Sequence, residues 1–572
     1  MKRLSFCLLL FFGCVHLATG QTNVLTWHND NWREGLNSNE TVLNQANVNS
    51  AQFGKLCSAV FDGQVYAQPL VVSTAGKNIV YVVTMNDSIY EVDGTNCNQI
   101  NQASLLPAGE TAVPCTAAGG PNCYTAKPIV GILGTPVIDL TSNTIYLVTK
   151  SVSNTGSCSG STKAGSCFMH RLHALDLTTL AEKFNGPVNI SGIYKGVAFT
   201  PKNHIQRPGL LLLPNTRSNG NSTVYVAFSE MDGTGTPGVS IPHGFIFGFD
   251  AANLTSTPYV WISTPSGEGG GVWMSGAGLA AGFDSPGGQQ YLYVVTGDGD
   301  FNANTGGADY GDSFVKLTTS LDSVTNGYFT PYGQACMNPN DLDFGSGGVM
   351  LIPDSGSTFW AITAGKDANI YVMNRANPGG YTPPTNSTCP ATGTNANQEY
   401  FVTSGHQFYT TGVYWNANLF YAPMFGSLIK YPVSLTTPPS CTPGPVCRNN
   451  TSKTSVTFQY GTGFSISSSN TTTGSAIIWG VLGNGWPRRG TASPTPAVLY
   501  AYDAEHVVSP HTIPELWDST MCPTRDTPGN AIKFAVPTIA NGMVYVGSMD
   551  PTDSTSTRGE LDVFGLTTAP CQ

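Results

Sequence analysis

The sequence predicts an all-β fold, an eight-bladed β-propeller of four-stranded antiparallel blades, with seven blades as the alternative count. Three observations lead there. Short apolar runs, each centred on an aromatic residue, recur through the chain at spacings between 58 and 79 residues. Many of these runs are followed by a second strand-like segment ending in an acidic turn, as in SIYEVDG to Gly94, HALDLTT to Thr179, FGFDAAN to Asn253 and LYAYDAE to Glu505. Gly, Ser, Thr and Asn are abundant and long amphipathic helical patterns are missing, so strands and turns must make the core.

Taken in order, the chain opens with Met-Lys-Arg, an apolar run from Leu4 to Phe12, and Ala18-Thr19-Gly20 before Gln21. This pattern predicts a secretory signal peptide over 1–20, with a lipoprotein signal at Cys14 as the less favoured reading. Residues 21–572 then read as one propeller domain, exported to the periplasm or secreted. No later stretch is apolar enough for a membrane span.

The runs are IVYVVT around Tyr81, TIYLVT around Tyr146, TVYVAF around Tyr225, YLYVVT around Tyr293, FWAIT around Trp360, LFYAPM around Tyr421, IIWGVL around Trp479 and MVYVGS around Tyr545. A unit of this length holds four short strands and their loops, which is one blade, and the eight units fill the chain. Radial closure removes the sheet edges that separate sheets would expose. The last run, GELDVFGL to Leu566, is expected to pair with the N-terminal segment Trp27 to Leu56. The polar stretches Asn96–Lys127, Ser151–Ser166, Asn377–Glu399 and Pro438–Thr473 read as loops. Within the last of them, Gly461–Gly474 reads as mobile.

Of fourteen cysteines, Cys7 and Cys14 fall in the leader and twelve remain. An even number in an oxidising compartment predicts disulfides, with close pairs Cys115–Cys123, Cys158–Cys167 and Cys441–Cys447 as local staples, each stabilising by about 2–3 kcal/mol in the entropic picture. No Cys-x-x-Cys-His is present, so covalent haem is not expected. Only 10% of residues are charged and the net charge is −10. That disfavours nucleic acid and anionic membrane, both of which need basic patches. His170 and His173 lie three apart on a predicted strand and so point to opposite faces. Arg488 and Arg489 read as an exposed turn.

The run from Gly269 to Lys316 carries the densest chemistry. GGGVW leads to Trp273, and YLYVVTG then breaks into DGDFNAN, with Asp298, Asp300, Asn302 and Asn304 at alternate positions. Oxygen side chains on a glycine-rich loop suit Ca²⁺, which takes six to eight oxygens in forgiving geometry. The same residues also suit a solvated loop, because Asp and Asn tolerate turn conformations.

With the repeats in place, the chain resembles the quinoprotein alcohol dehydrogenase superfamily, eight-bladed propellers that hold pyrroloquinoline quinone (PQQ) and Ca²⁺ on the axis. The opening WHNDNWREGLNSNE, the units FDAANLTSTPYVW and YDAEHVVSPHTIPELW, and the closing VPTIANGMVYVGS carry the resemblance. It implies that Trp273, after GGG, stacks under the quinone, and that Glu230 in FSEMDG and Asp298 in TGDG ligate the metal. Asp343 in NDLDFGSGG would be both metal ligand and general base, and Lys366 in KDANIYVMNR would contact the quinone oxygens. Asp298 stands where the family has Asn and Leu342 where it has Trp, and the family's adjacent cysteine pair is absent. The implied activity is oxidation of a small alcohol or sugar. A different class remains open: a non-catalytic extracellular propeller that binds protein or glycan partners. On that reading Trp273 plugs the channel, Glu230 sits in a surface turn, Asp343 initiates a strand and Lys366 is a turn lysine.

Overall fold

The computed structural model describes residues 22–571 apart from 75, 120–126, 160–163, 232–241, 356–357, 387, 396–398, 403–404, 435–440, 442–443, 450, 460, 471, 485–492 and 509–510. The expected signal peptide, Cys14 and the Arg488–Arg489 turn lie outside the described residues. No helix among them is long and apolar enough to cross a membrane.

Among the described residues eight blade sheets follow one another along the chain, with a separate two-stranded ribbon of Gly192–Tyr194 and Val197–Phe199 between the second and third. The first blade runs Leu70–Thr74, Lys77–Val83, Ser88–Asp93 and Gln99–Ser104, each strand antiparallel to the next. Later blades repeat this order, their second strands being Thr144–Ser153, Thr223–Glu230, Gln290–Val295, Thr358–Ala364, Asn418–Tyr421, Ile477–Leu482 and Met543–Met549. The aromatic residue at the centre of every run therefore falls on the second strand of its blade. Short parallel additions extend two blades: Leu36–Asn37 on Phe464–Ser467, and Gly380–Tyr381 on Ser323–Thr330.

The repeated aromatic is there because it joins one blade to the next. Tyr146, Tyr225, Tyr293, Tyr421, Trp479 and Tyr545 are among the largest fully buried side chains, while Trp360 is half-buried. The hydroxyl of Tyr81 donates to Leu177 O at 2.9 Å, that of Tyr146 to Ala251 O at 2.8 Å and that of Tyr225 to Thr319 O at 2.7 Å. Each acceptor lies just beyond the third strand of the following blade. The Tyr293 ring instead meets the Arg375 guanidinium, 5.9 Å from its centroid. At Tyr81, Tyr146 and Tyr225 the position buries a large apolar ring and satisfies its hydroxyl in a neighbour.

The ring closes through the N-terminal segment, but the pairing strand begins only at Phe53, near the end of the expected Trp27–Leu56 stretch. Phe53–Phe61 pairs antiparallel with Gly559–Leu566 and forms the outer strand of the eighth blade. Ahead of it, Arg33 is fully buried and donates to Leu279 O, Thr26 Oγ1, Trp27 O and Asp30 O at 2.8–2.9 Å. The arginine of the opening motif is thus a structural pin.

All four stretches read as loops hold strand residues: the strand Thr144–Ser153 runs into the second and Gly380–Tyr381 lies in the third. Gln99–Ser104 and Glu110–Pro114, within the stretch read as a loop, are strands, and so is Ser452–Lys453. The first of these is an outer strand that alternates exposed and half-buried residues, so its sequence, QINQAS, lacks an apolar signature. Phe464–Ser467, in the segment read as mobile, is a fully buried inner strand. Its serines are satisfied: Ser465 Oγ donates to Pro537 O at 2.7 Å and Ser467 Oγ accepts from Trp479 Nε1 at 2.8 Å.

Cys158–Cys167 and Cys441–Cys447 form disulfides, as do the longer pairs Cys57–Cys97, Cys336–Cys389 and Cys522–Cys571. Cys115 is disulfide-bonded; its expected partner, Cys123, lies outside the described residues.

Candidate functional site

In an up-and-down blade, the connection after the second strand and the connection to the next blade emerge at the same end. All five residues singled out by sequence sit in, or at the start of, such connections. Glu230 ends the second strand of blade three, Asp298 follows that of blade four and Lys366 follows that of blade five. Trp273 lies between blades three and four, and Asp343 between blades four and five. They therefore share one face of the ring.

Four of them line one cavity of about 230 Å³: Glu230, Trp273, Asp343 and Lys366. Tyr409, Lys533 and Phe534, from connections of later blades, complete its wall. Trp273 also packs against a hydrophobic cluster drawn from blades one, two, three, seven and eight, so it both fills the centre and offers a ring to the cavity.

Two glycines let the carboxylates in. A Cβ at Gly271 would lie 2.2 Å from Glu230 Oε2, and one at Gly297 would lie 2.4 Å from Asp343 Oδ1. The two glycine backbones are themselves joined, Gly297 N donating to Gly271 O at 2.9 Å. The glycine-rich approach thus brings Glu230 and Asp343 onto a bare stretch of paired backbone.

Asp298 stands beside them. Its backbone N–H donates to Asp343 Oδ1 at 2.9 Å. Ligand atoms of Asp298, Asp341 and Asp343 all lie within 4.8 Å of one another. Glu230 lines the same cavity but falls outside that group. Lys366 Nζ contacts both Asp341 Oδ1 and Asp343 Oδ2 at 2.5 Å.

One ammonium faces more carboxyls than it can neutralise. Burial and the neighbouring charges of Asp343 and Asp312 push the Asp298 carboxyl up to about 10, against the opposing pull of Lys366. Asp312, fully buried, is held well above the usual range by burial and then by Asp343. Burial also works against the charge on Asp343, yet the Lys366 ammonium and its hydrogen bond hold that carboxyl below the usual range. Lys366 is raised in turn, its two carboxylate partners outweighing its burial. Asp298 Oδ1 and Asp312 Oδ2 are buried with no hydrogen-bond partner among the described residues. Buried carboxyl oxygens without donors are costly, and either a proton or a cation relieves them.

Sequence reasoning missed three acidic members. Asp341 lies in a left-handed turn at φ 53° and is given no site role by the sequence. Asp312 and Asp367 are not singled out by the sequence at all. Asp367 sits next to Lys366 and is raised by burial, although Tyr371 and Asn369 hydrogen bonds oppose the shift. After Asp298 the DGDFNAN loop goes elsewhere: Asp300 accepts from Glu268 N at 2.9 Å, and Asn302 and Asp309 bond each other, so those residues close the loop on itself. His170 and His173 do point apart: His170 meets Lys150 and His204 O, and His173 meets Thr149 and Glu182.

No protein-family profile and no curated protein sequence matches the chain. Solved structures do. A quinohemoprotein alcohol dehydrogenase from Comamonas testosteroni superposes with a TM-score of 0.53 at 13% identity, over 96% of this chain and 81% of that one. The quinohemoprotein alcohol dehydrogenase ADHIIG from Pseudomonas putida HK5 gives 0.53 at 13%, over 96% and 80%. A europium-containing methanol dehydrogenase gives 0.53 at 12%, over 95% and 98%. At such identities the likeness is one of fold, and it extends over nearly the whole chain.

Proposed function

We propose that this quinoprotein-like propeller is exported and holds a hard cation at Asp298, Asp341 and Asp343, with Glu230 lining the same cavity, beside a PQQ ring lying on Trp273, and that it oxidises a small alcohol or sugar. The observation that carries the reading is the set of carboxyl groups gathered around the Lys366 ammonium, with Asp298 Oδ1 buried and left without a donor among the described residues. Oxygen-only donors of this kind suit Ca²⁺, and the density of negative charge suits a trivalent ion as well. The europium found in one similar structure makes the trivalent arm worth testing.

The residues present fit the cofactor in donor chemistry. Trp273 offers a flat face, and Lys366 and Lys533 offer cationic groups to a polyanionic quinone. When bound, the quinone would take up hydride and the cation would polarise it as a Lewis acid. The chain's own part is acid–base and positional. Asp343, kept ionised by Lys366, can accept the alcohol proton at a carboxylate oxygen. Lys366 holds that oxygen in place through its contacts to Asp341 and Asp343. The backbone N–H of Asp298 fixes the other oxygen of Asp343. Trp273 and Phe534 keep the floor apolar, which limits competing water.

Purified protein freed of cations is titrated with Ca²⁺ or Eu³⁺ and with PQQ, following melting temperature, quinone absorbance and dye reduction by simple alcohols. Saturable cation binding, PQQ-dependent stabilisation and alcohol-dependent reduction support the reading. Absence of both cation and PQQ binding rejects it in favour of a non-catalytic propeller.

A further inference from the structure

The innermost strand of a blade leaves one edge unpaired towards the axis of the ring. Residues 22–40 reach that edge in every blade, in the order in which the blades follow along the chain. Val24 exchanges two backbone bonds with Val71 in blade one, 2.8 and 2.9 Å long, and Leu25 O accepts from Ile138 N in blade two at 2.8 Å. Thr26 Oγ1 and Asn31 Nδ2 donate to Leu210 O and Leu212 O of blade three, both at 3.4 Å. Asn31 O and Trp32 O accept from Ala281 N and Leu351 N in blades four and five, both at 2.8 Å. Glu34 O and Gly35 O accept from Tyr414 N and Ile466 N in blades six and seven, at 2.9 and 2.7 Å. Asn37 Nδ2 donates to Ile539 O of blade eight at 2.9 Å. The circuit then closes on itself, Thr22 Oγ1 donating to Asn39 O at 3.4 Å.

The circuit is short. Val24 to Asn37 is fourteen residues, a reach of at most roughly 50 Å and hence a circle of at most about 8 Å radius. The segment therefore runs inside the ring, close to the axis. His28, Asn29 and Arg33 hold positive φ of 54°, 70° and 66°, which bend it round. Arg33 ties its middle to its start through Thr26 Oγ1 and Trp27 O, and to blade four through Leu279 O. Trp27 belongs to the same hydrophobic cluster as Val272 and Met274, the neighbours of Trp273. The segment thus lies against the chain that carries the floor of the axial cavity.

We propose that residues 22–40 are a strap, a single cooperative unit that latches the inner edges of all eight blades and lets go of them together. A segment held by one or two hydrogen bonds per blade has little stability of its own at any one of them. Its two ends hold each other, and Arg33 joins its middle to its start, so loosening at one blade frees the next. While the strap is in place the inner edges are covered. Once it lets go they are bare, and the neighbours of Trp273 lose the packing of Trp27. The device needs neither a cation nor a quinone, so its failure leaves the axial reading untouched.

The full chain, free of cation and cofactor, is followed by hydrogen exchange with residue-level mass spectrometry. The reporters are the amides of Val71, Ile138, Ala281, Leu351 and Tyr414, which donate to the strap. Arg33→Met removes the tie at its middle. Val24 is fully buried, so Val24→Ala removes packing at its start. Arg33→Met speeds exchange about tenfold not only at Ala281 but also at Val71 and Ile138, whose strap partners Val24 and Leu25 lie a full bend earlier. Val24→Ala speeds Leu351, in the blade facing blade one across the axis, by the same factor as Val71. Amides of the second strand Met543–Met549, paired inside blade eight, keep their wild-type rates. Melting curves confirm that each variant folds, and if Arg33→Met does not, Val24→Ala decides. Unchanged exchange at the reporters overturns the proposal, as does acceleration confined to Ala281 in Arg33→Met or to Val71 in Val24→Ala. Equal acceleration of Met543–Met549 overturns it too, because the strap then has no opening of its own.

Discussion

Asp298 and Asp343 are fixed side by side by a hydrogen bond from the backbone of one to the carboxylate of the other, 2.9 Å long. The link is one-sided. It satisfies Asp343 Oδ1 and brings the Asp298 carboxyl close to a second negative charge. Stability and cation binding at this spot therefore pull in opposite directions.

Asp298→Asn separates them. The amide keeps an oxygen donor and needs no proton taken up on folding, so at neutral pH the cation-free variant melts higher than wild type. Its affinity for Ca²⁺ falls by about tenfold, the scale of one lost charge–ligand interaction. Parallel thermal melts with and without Ca²⁺ check both arms. A variant that loses stability without the cation and keeps its Ca²⁺ affinity contradicts the placement.

The pH dependence follows from the same residue. A carboxyl raised to about 10 in the folded state keeps its proton where the unfolded chain has lost it. The folded state then binds more protons, so this group's contribution to stability falls as pH rises from about 4, the unfolded carboxyl value, towards 10. Cation binding must expel that proton. Ca²⁺ affinity accordingly rises with pH over this window, and calorimetry in buffers of different ionisation enthalpy shows proton release.

Lys366→Met leaves Asp341 and Asp343 without their ammonium. The pair is partly buried, with side-chain exposures of 14% for Lys366 and 24% for Asp343. The loss is expected at about 1–3 kcal/mol, below the 3–5 kcal/mol of a fully buried pair. Urea unfolding measures it. Without the ammonium the Asp343 carboxyl rises, so any alcohol-dependent dye reduction moves its acidic limb to higher pH.

Tyr225→Phe tests the blade junctions. It removes only the hydroxyl that reaches Thr319 O in the next blade. The expected cost is about 1 kcal/mol, whereas Tyr225→Ala also loses a buried ring and costs about 3–5 kcal/mol. Chemical denaturation of the three proteins gives the comparison.

The propeller was readable because one position in every unit obeys the same physical demand. An aromatic ring on the second strand must fill the space between blades, which keeps Tyr or Trp at a regular spacing. The outer strand Gln99–Ser104 obeys no such demand, and its polar sequence read as a loop. The buried strand Phe464–Ser467 was hidden because its serines are satisfied by Pro537 and Trp479, partners far along the chain or across the sheet. At the site, motif resemblance brought together Glu230, Trp273, Asp343 and Lys366 on one cavity. Asp341 and Asp312 were not legible: each occupies a positive-φ turn position, where an aspartate is unremarkable until its neighbours are known.

The seam between Phe53–Phe61 and Gly559–Leu566 also dictates when the molecule can become complete. Individual blades can collapse as they leave the ribosome, but the circle stays open until residues near 566 have been made and have found a strand laid down some five hundred positions earlier. Such a late, long-range pairing is slow. Until it forms, Gly559–Leu566 presents a bare β-edge to whatever surrounds the nascent chain. Arg525, which grips Ser50 O and Phe53 O, works as a clasp that holds the returning strand once it arrives.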